Sequence, residues 1–288
     1  MKFKELIVPA NTKVKLKDYP PDKTDGFGTK EQAAEKLAAD ITALAELQSK
    51  LYAQNTYALL VILQGIDGAG KDGTIKHVLS GVNPTGCHVK SFKVPSEEEL
   101  DHDYLWRHVK ALPERGNIGI FNRSYYEEVL VVRVHPEYLK RQRIPEGKKL
   151  DKLWTARYEQ INGFERYLVD NGVEILKFFL HLSKNEQKKR FLSRLDTPDK
   201  NWKFSAADVA ERAYWDEYHT AFEEMLSNTS TKHAPWHVIP ADRKWFMHMA
   251  VADIIVDKLS SLDLRYPQVD DTAKKELSAA RKLLENEK

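Results

Sequence analysis

One cysteine, Cys87, stands in 288 residues. A lone thiol excludes an internal disulfide framework, and no second ligand pairs with it at zinc spacing. No stretch reaches the ~18 consecutive apolar residues of a membrane span. The opening MKFKELIVPANTKVK has no long apolar core of a secretory signal. A soluble, cytoplasmic protein without a membrane partner is the expectation. Excess charge is also missing: 45 Lys+Arg against 43 Asp+Glu leave a formal +2, too little to coat nucleic acid nonspecifically. No nucleic-acid partner is expected, and any basic site has to be local. Internal repeats and low-complexity segments are absent too. The chain does have a 42% hydrophobic content, enough to bury the core of one large α/β domain with appendages.

YALLVILQ, residues 57–64, is an apolar, β-branched run that ends at a glycine loop, as a buried parallel strand does. Further strands are expected over 88–94, around Ile118, Ile120 and Phe121, over 173–182, and at 236–239. Helical patterns lie between them. Residues 29–51 are rich in alanine and leucine, Thr74 to Leu79 follow the glycine loop, and Trp154, Tyr158, Ile161 and Leu168 share one helix face. Ser96 and Glu99 have capping-box spacing, which predicts a helix running through Trp106. Strands alternating with helices imply a parallel sheet covered on both faces, with ligands at the carboxyl ends of the strands. The expected architecture is a three-layer α/β/α P-loop kinase fold with about five strands and a helical basic lid. Residues 1–52 would form an N-terminal extension and helix, 53–265 the core with its lid at about 184–212, and 266–288 a helical tail. The first 28 residues are expected to be extended.

The loop itself, GIDGAGKDGT at 65–74, follows G-x-x-x-x-G-K-[ST] except that Asp72 replaces the hydroxyl. Glycines let backbone N–H groups converge on an anion, the following helix adds its positive dipole end, and Lys71 supplies a cation. In the usual pattern the hydroxyl binds magnesium, together with a carboxylate at the end of a neighbouring strand. Here the candidate strand GNIGIF ends in Asn122, a weaker ligand for a hard cation. The carboxylates that hold or orient Mg2+ are therefore expected within the loop, at Asp67 and Asp72. Turn-forming aspartates that bond backbone amides are the plain alternative. Arg123 follows the strand end, where a guanidinium can meet a transferring phosphoryl group. A surface salt bridge is the competing reading. Glu127 and Glu128 begin the next helix, one of them facing nucleotide or metal unless both lie on a solvated face.

Between residues 184 and 203, Lys184, Lys188, Lys189, Arg190, Arg194, Lys200 and Lys203 outnumber Glu186, Asp196 and Asp199. Placed after the fourth strand, this cluster fits a basic lid that closes over phosphates and excludes water. Its charge exceeds what one triphosphate needs and suits a longer phosphate chain, although RNA phosphates would fit as well. Trp202, Phe204, Tyr214 and Trp215 lack the interleaving of a base-stacking platform and read mostly as core or lid packing. His77, His102 and His108 have no metal or nucleophile pairing and read as structural.

With these residues assembled, the sequence resembles the type-2 polyphosphate kinases over nearly its whole length. Asp67, Gly70, Lys71, Asp72 and Gly73 match the family's D-x-x-G-K-D-G loop, and FNRSYYEEVLVVRVHPEYL at 121–139 is similar to its second motif. DYLWRH at 103–108, KFFLHLSKNEQKKRF at 177–191, NWKFS at 201–205 and APWHVIPADRKWF at 234–246 are similar to further family segments. Asn122, where single-step members often carry aspartate, and EEVLVVRV resemble the subclass acting on both nucleoside mono- and diphosphates. The resemblance implies reversible transfer from inorganic polyphosphate to AMP and ADP, giving ADP and ATP, with Mg2+ as cofactor. It implies that Lys71 and the loop from Gly68, Ala69 and Gly70 to Gly73 and Thr74 hold donor phosphates. Asp67 and Asp72 would handle magnesium or position the acceptor phosphate, and Arg123 would neutralise developing charge. Lys188, Arg190 and Arg194 would line the polyphosphate path, and Asn122, Arg123, Glu127 and Arg133 would face the nucleotide. A homo-oligomer, dimer or tetramer, is expected on the same ground.

Transfer of this kind needs positioning and charge stabilisation more than covalent help, so direct in-line transfer without a phosphoenzyme is expected. An ATP-dependent nucleoside monophosphate kinase of thymidylate-kinase type would share fold, loop and lid. A noncatalytic polyanion-binding protein would share the basic surface.

Overall fold

The run read as the first strand becomes the centre of the sheet. In the computed structural model, which describes residues 3–24, 26–145 and 150–287, the strands are β1 (Ala58–Gln64), β2 (Cys87–Ser91), β3 (Ile118–Asn122), β4 (Val173–His181) and β5 (Trp236–Pro240). All pair in parallel, in the order β2-β3-β1-β4-β5. Every residue of β1 is buried. Its side chains alternate, Leu59, Val61 and Leu63 entering one core layer and Leu60 and Ile62 the other, as the two-residue period of a strand requires.

Along the chain the helices are α1 (Lys30–Gln54), α2 (Lys71–Val78), α3 (Glu97–Leu100), α4 (Trp106–Val109), α5 (Val131–Val134), α6 (Leu150–Asp170), α7 (Lys184–Leu195), α8 (Ala206–Ala210), α9 (Trp215–Thr229), α10 (Lys244–Ser260) and α11 (Asp271–Glu285). Residues of α1, α2 and α10 share a core with one face of the sheet, and residues of α6 and α9 cover the other. Tyr158, Ile161 and Leu168 of α6 are buried on one face, with Trp154 packed against them. No helix among the described residues is long and apolar enough to cross a membrane. The boundary expected after residue 52 falls inside α1, whose Ala33, Leu44 and Leu51 belong to the core beneath the sheet.

Two local expectations change. The capping box at Ser96 and Glu99 forms, yet its helix stops at Leu100. A separate helix begins at Trp106, because the Asp103 carboxylate accepts from Leu105 N at 2.9 Å and sets a new turn there; a short acidic side chain competes with helix continuation in this way. The N-terminal segment is extended only in part. It is interrupted by 3-10 turns at Lys4–Leu6 and Leu16–Asp18, and Phe3, Leu6, Val8, Val14 and Leu16 are buried.

The order of strands positions the site. The connection after β1 runs past β3 to β2, and the one after the adjacent β3 runs back past β1 to β4, so the two leave in opposite directions and open a crevice at the carboxyl ends of β1 and β3. The glycine loop sits in that crevice. Loops after β2 and β3 border it on one side, and those after β4 and β5 on the other.

Candidate active site

The phosphate loop turns through Gly68 at φ +85° and Gly70 at φ +107°, a region that favours glycine. At Gly70 a Cβ would also lie 2.9 Å from Met247 Cε. Helix α2 starts at Lys71, three residues before the expected Thr74, so Lys71 and Asp72 occupy its first turn, where free N–H groups and the helix dipole favour anions. The Thr74 hydroxyl is buried and donates back to Gly70 O at 3.1 Å. It ties the helix start rather than facing the cleft. Lys71 curls over the loop, its Nζ donating to Gly65 O at 2.6 Å and Ile66 O at 3.4 Å. Burial, reinforced by the Arg123 charge, pushes its ammonium down to about 8.

Both loop carboxylates meet partners from the end of β3. Asn122 Nδ2 donates to Asp72 Oδ1 at 2.6 Å and to Ser91 Oγ at 3.2 Å. Arg123 pairs with Asp67 and, at 3.1 Å, with Glu127. Glu127 above all, then Asp67, hold its guanidinium firmly protonated against the cost of burial. Arg123 adopts φ +65°, a left-handed conformation that costs a non-glycine residue energy and is found where the surroundings over-determine it. Glu127 sits on a 3-10 turn, Tyr125–Val129, capped by Ser124, whose Oγ accepts from Tyr126 N. Glu128 also borders the cleft opened over this loop, but it is buried against Arg157 at 3.0 Å, and its burial raises its pKa.

A cleft of about 1300 Å³ opens over this loop. From the β2 and β3 side it is lined by Phe92, Lys93, Val94, Pro95, Leu100, Arg107, Val131, Val132 and Tyr138. From the β4 and β5 side come Lys189, Arg194, Lys200, Trp202, Lys244 and His248. Between them lie Asp67, Gly68, Gly70, Lys71, Asp72, Gly73, Asn122, Arg123 and Glu127, so the structure gathers most of the residues singled out from sequence in one place.

Others are placed elsewhere. Ala69 is buried beneath the loop. Arg133 does not line the cleft; it donates to Tyr158 OH at 2.8 Å and pairs with Glu224. Lys188 is exposed and also lies outside the lining, while its neighbour Lys189 faces in. The Lys203 side chain lies outside the described residues. Arg190 borders the cleft but is 8% exposed, its guanidinium engaged by Glu186 Oε1 and by the carbonyls of Gly68, Ala69, Ala241 and Asp242.

Sequence reasoning missed Lys189 as distinct from Lys188, along with Lys244, Lys93 and Arg107. Lys244 was findable, since it opens the helix after β5 much as Lys184 opens the helix after β4. Trp202, read as packing, is 77% exposed and lines the cleft. Of the three histidines, His77 stacks on His248 at 4.4 Å, His102 stacks on Trp106 at 3.8 Å, and burial drives His108 down to about 3.

No group of three or more His, Cys, Asp or Glu residues able to hold a metal lies among the described residues. Two carboxylates facing one phosphate loop still fit Mg2+, which is usually held by one or two carboxylates with water and substrate phosphate completing its shell.

A phosphate loop at the centre of a parallel sheet, with paired carboxylates and an arginine at its mouth, defines a P-loop kinase-like phosphotransferase fold. More particularly, the model of the family described as polyphosphate kinase 2 matches residues 28–267, and the chain belongs to that family. It is 50% identical over 285 residues to the ADP-polyphosphate phosphotransferase of Rhodopseudomonas palustris, covering 99% of both chains. It is 45% identical over 274 residues to the AMP/ADP-polyphosphate phosphotransferase of Meiothermus ruber, covering 95% of this chain and 98% of the relative. The crystal structure of polyphosphate kinase 2 from Arthrobacter aurescens TC1 superposes with a TM-score of 0.88 at 40% identity, covering 97% of this chain and 96% of that one.

Proposed function

We propose that this protein transfers phosphate from inorganic polyphosphate to AMP and ADP, giving ADP and ATP, by direct in-line displacement. The carrying observation is one continuous cleft with two unlike sides. Cations from the β4 and β5 side suit a chain of phosphates. Apolar side chains from the β2 and β3 side, Phe92, Val94, Pro95, Leu100, Val131 and Val132, suit a nucleoside. At about 1300 Å³ the cleft exceeds the usual ~300–1000 Å³ of a single-ligand pocket, which supports simultaneous occupation by donor and acceptor. The relatives' names point to the same pair of substrates.

In this reading the loop amides and Lys71 bind the donor's terminal phosphates, and residues 184–212 form the lid. An oxygen of the acceptor phosphate attacks the terminal phosphorus while the bond to the shortened chain breaks, and Arg123 stabilises the charge spread over the transferring group. Asp67 and Asp72 would hold Mg2+, which would supply neutralisation of phosphate charge. Arg123 and Glu127 keep Asp67 in place. No histidine need carry the phosphoryl group.

The test is an ATP-free assay with AMP or ADP, Mg2+ and long-chain polyphosphate, with nucleotides separated over time. Formation of ADP and then ATP, lost in Lys71→Ala and Asp67→Asn, is expected. If AMP remains unchanged until ATP is supplied, the donor assignment is wrong. Tight polyphosphate binding with no turnover by any acceptor would instead make the protein a polyanion binder.

A further inference from the structure

Phosphate binding by a glycine loop requires its peptide N–H groups to point into the cleft. In a trans peptide the carbonyl before each N–H then has to point the other way. Those carbonyls need donors of their own, since a buried carbonyl without one is costly. In this protein α7 supplies them. Gln187 Nε2 donates to Asp67 O at 2.8 Å, and Arg190 Nη1 donates to Gly68 O and Ala69 O, each at 3.0 Å. Three successive loop carbonyls are thus held by side chains one helical turn apart. Of the two carbonyls before them, Gly65 O is held by Lys71 and Ile66 O by Lys71 and by Ala69 N–H at 3.1 Å, and the one after, Gly70 O, by Thr74.

Arg190 has no donor left over for phosphate. Arg190 Nε donates to Glu186 Oε1 at 3.0 Å, and its Nη2 to Ala241 O at 2.5 Å and Asp242 O at 3.2 Å. A guanidinium has five N–H donors, and all five have acceptors in the protein. Gln187 is 1% exposed and absent from the cleft lining, and its Oε1 accepts from Arg212.

We propose that Gln187 and Arg190 are positioning residues for the phosphoryl donor. They fix the peptide planes that follow Asp67, Gly68 and Ala69: the first and third turn the N–H groups of Gly68 and Gly70 toward phosphate, the second closes the turn through Ala69 N–H on Ile66 O at 3.1 Å, and neither side chain touches phosphate itself. The proposal rests on the reading that the loop binds the donor. It removes Arg190 from the set of phosphate ligands that its charge and position recommended. It also makes the first two turns of α7 part of the loop's frame, so any closing motion of the lid begins beyond them.

Gln187→Met is the sharper test, because this residue has no charge and no access to the cleft. Steady-state kinetics with polyphosphate and ADP varied separately, and calorimetric titration with tripolyphosphate, give the readouts. The expected result is a donor KM raised about tenfold, as for a slightly misplaced binding group, with ADP KM within about twofold. Arg190→Lys keeps the charge but cannot span two pairs of carbonyls, so it should lose donor affinity as completely as Arg190→Met. Melting curves identify a variant that fails to fold, in which case Gln187→Met alone decides.

The proposal is overturned if folded Gln187→Met binds donor as the parent does, or if Arg190→Lys retains donor affinity that Arg190→Met loses. The second result would mark Arg190 as a direct charge contact. If the parent uses ATP and ignores polyphosphate, the functional reading fails instead, and the same comparison run with ATP still tests the positioning role.

Discussion

The Asn122 side-chain amide donates to the Asp72 carboxylate at 2.6 Å, joining the end of β3 to the first turn of α2. The hydroxyl usual in such a loop has become a carboxylate, and the carboxylate usual on such a strand has become an amide. The two departures answer each other, since an amide N–H is the donor a carboxylate wants and a second carboxylate would repel it.

Asn122→Asp would set two carboxylates at hydrogen-bond distance, so one has to retain its proton and its pKa rises. A carboxyl whose folded pKa lies above the unfolded value of ~3.9 loses the folded state stability as pH rises past that value. The melting-temperature gap between variant and parent is therefore expected to widen from about pH 4 toward pH 7. A gap that stays constant across this range would show that the two groups do not interact.

Lys71 gives a different pH signature. Its ammonium is pushed down to about 8, chiefly by burial, and phosphate binds the charged form. Donor affinity should therefore weaken above pH 8 by up to about tenfold per unit, while Lys71→Met binds weakly and loses this extra slope. Comparing parent and variant cancels the titration of the phosphate itself. Parallel pH profiles from calorimetry would remove Lys71 from the binding step.

These two residues were readable in advance because each sits at a motif position, one in a glycine loop and one at a strand end, where backbone topology fixes what a side chain can reach. The five strands were readable for a related reason, as buried parallel strands are nearly continuous apolar runs. Residues on α7 were harder. Lys188 and Lys189 are adjacent and chemically identical, and only the helix phase, set by burial of Gln187, Arg190 and Phe191, turns one toward the cleft and the other away. Arg190 misled for another reason: composition records its charge but not the carbonyls that surround it. The break between α3 and α4 escaped because one aspartate, Asp103, outweighs a capping box seven residues earlier.

Beneath the turn that carries Glu127, Lys177 and Glu165 form an ion pair at 2.6 Å, both fully buried. Tyr125 and Tyr126 donate to Glu165 at 3.0 and 2.7 Å, and Lys177 also reaches Thr229 O at 2.7 Å. Removing one partner of such a pair leaves the other charge uncompensated, at a cost of roughly 3–5 kcal/mol. Lys177→Met should lower unfolding free energy by about that amount in denaturant titration, and adding Glu165→Gln should recover part of it. Strict additivity of the two losses would show that they are not coupled.

The last prediction separates the two adjacent lysines of α7. Lys189, Arg194, Lys200 and Lys244 line one side of the cleft, whereas Lys188 is exposed outside it. A cation that follows a phosphate chain through solvent adds modest affinity, and the gain fades with salt. Lys189→Ala is therefore expected to raise KM for long-chain polyphosphate on the order of three- to tenfold at low salt, with a shallower salt dependence than the parent. Lys188→Ala should leave both quantities unchanged, and tripolyphosphate, too short to pass the loop by far, should distinguish the variants less than the long chain does. Equal effects of the two substitutions would mean that the net charge of the helix, and not its cleft-facing side, attracts the donor.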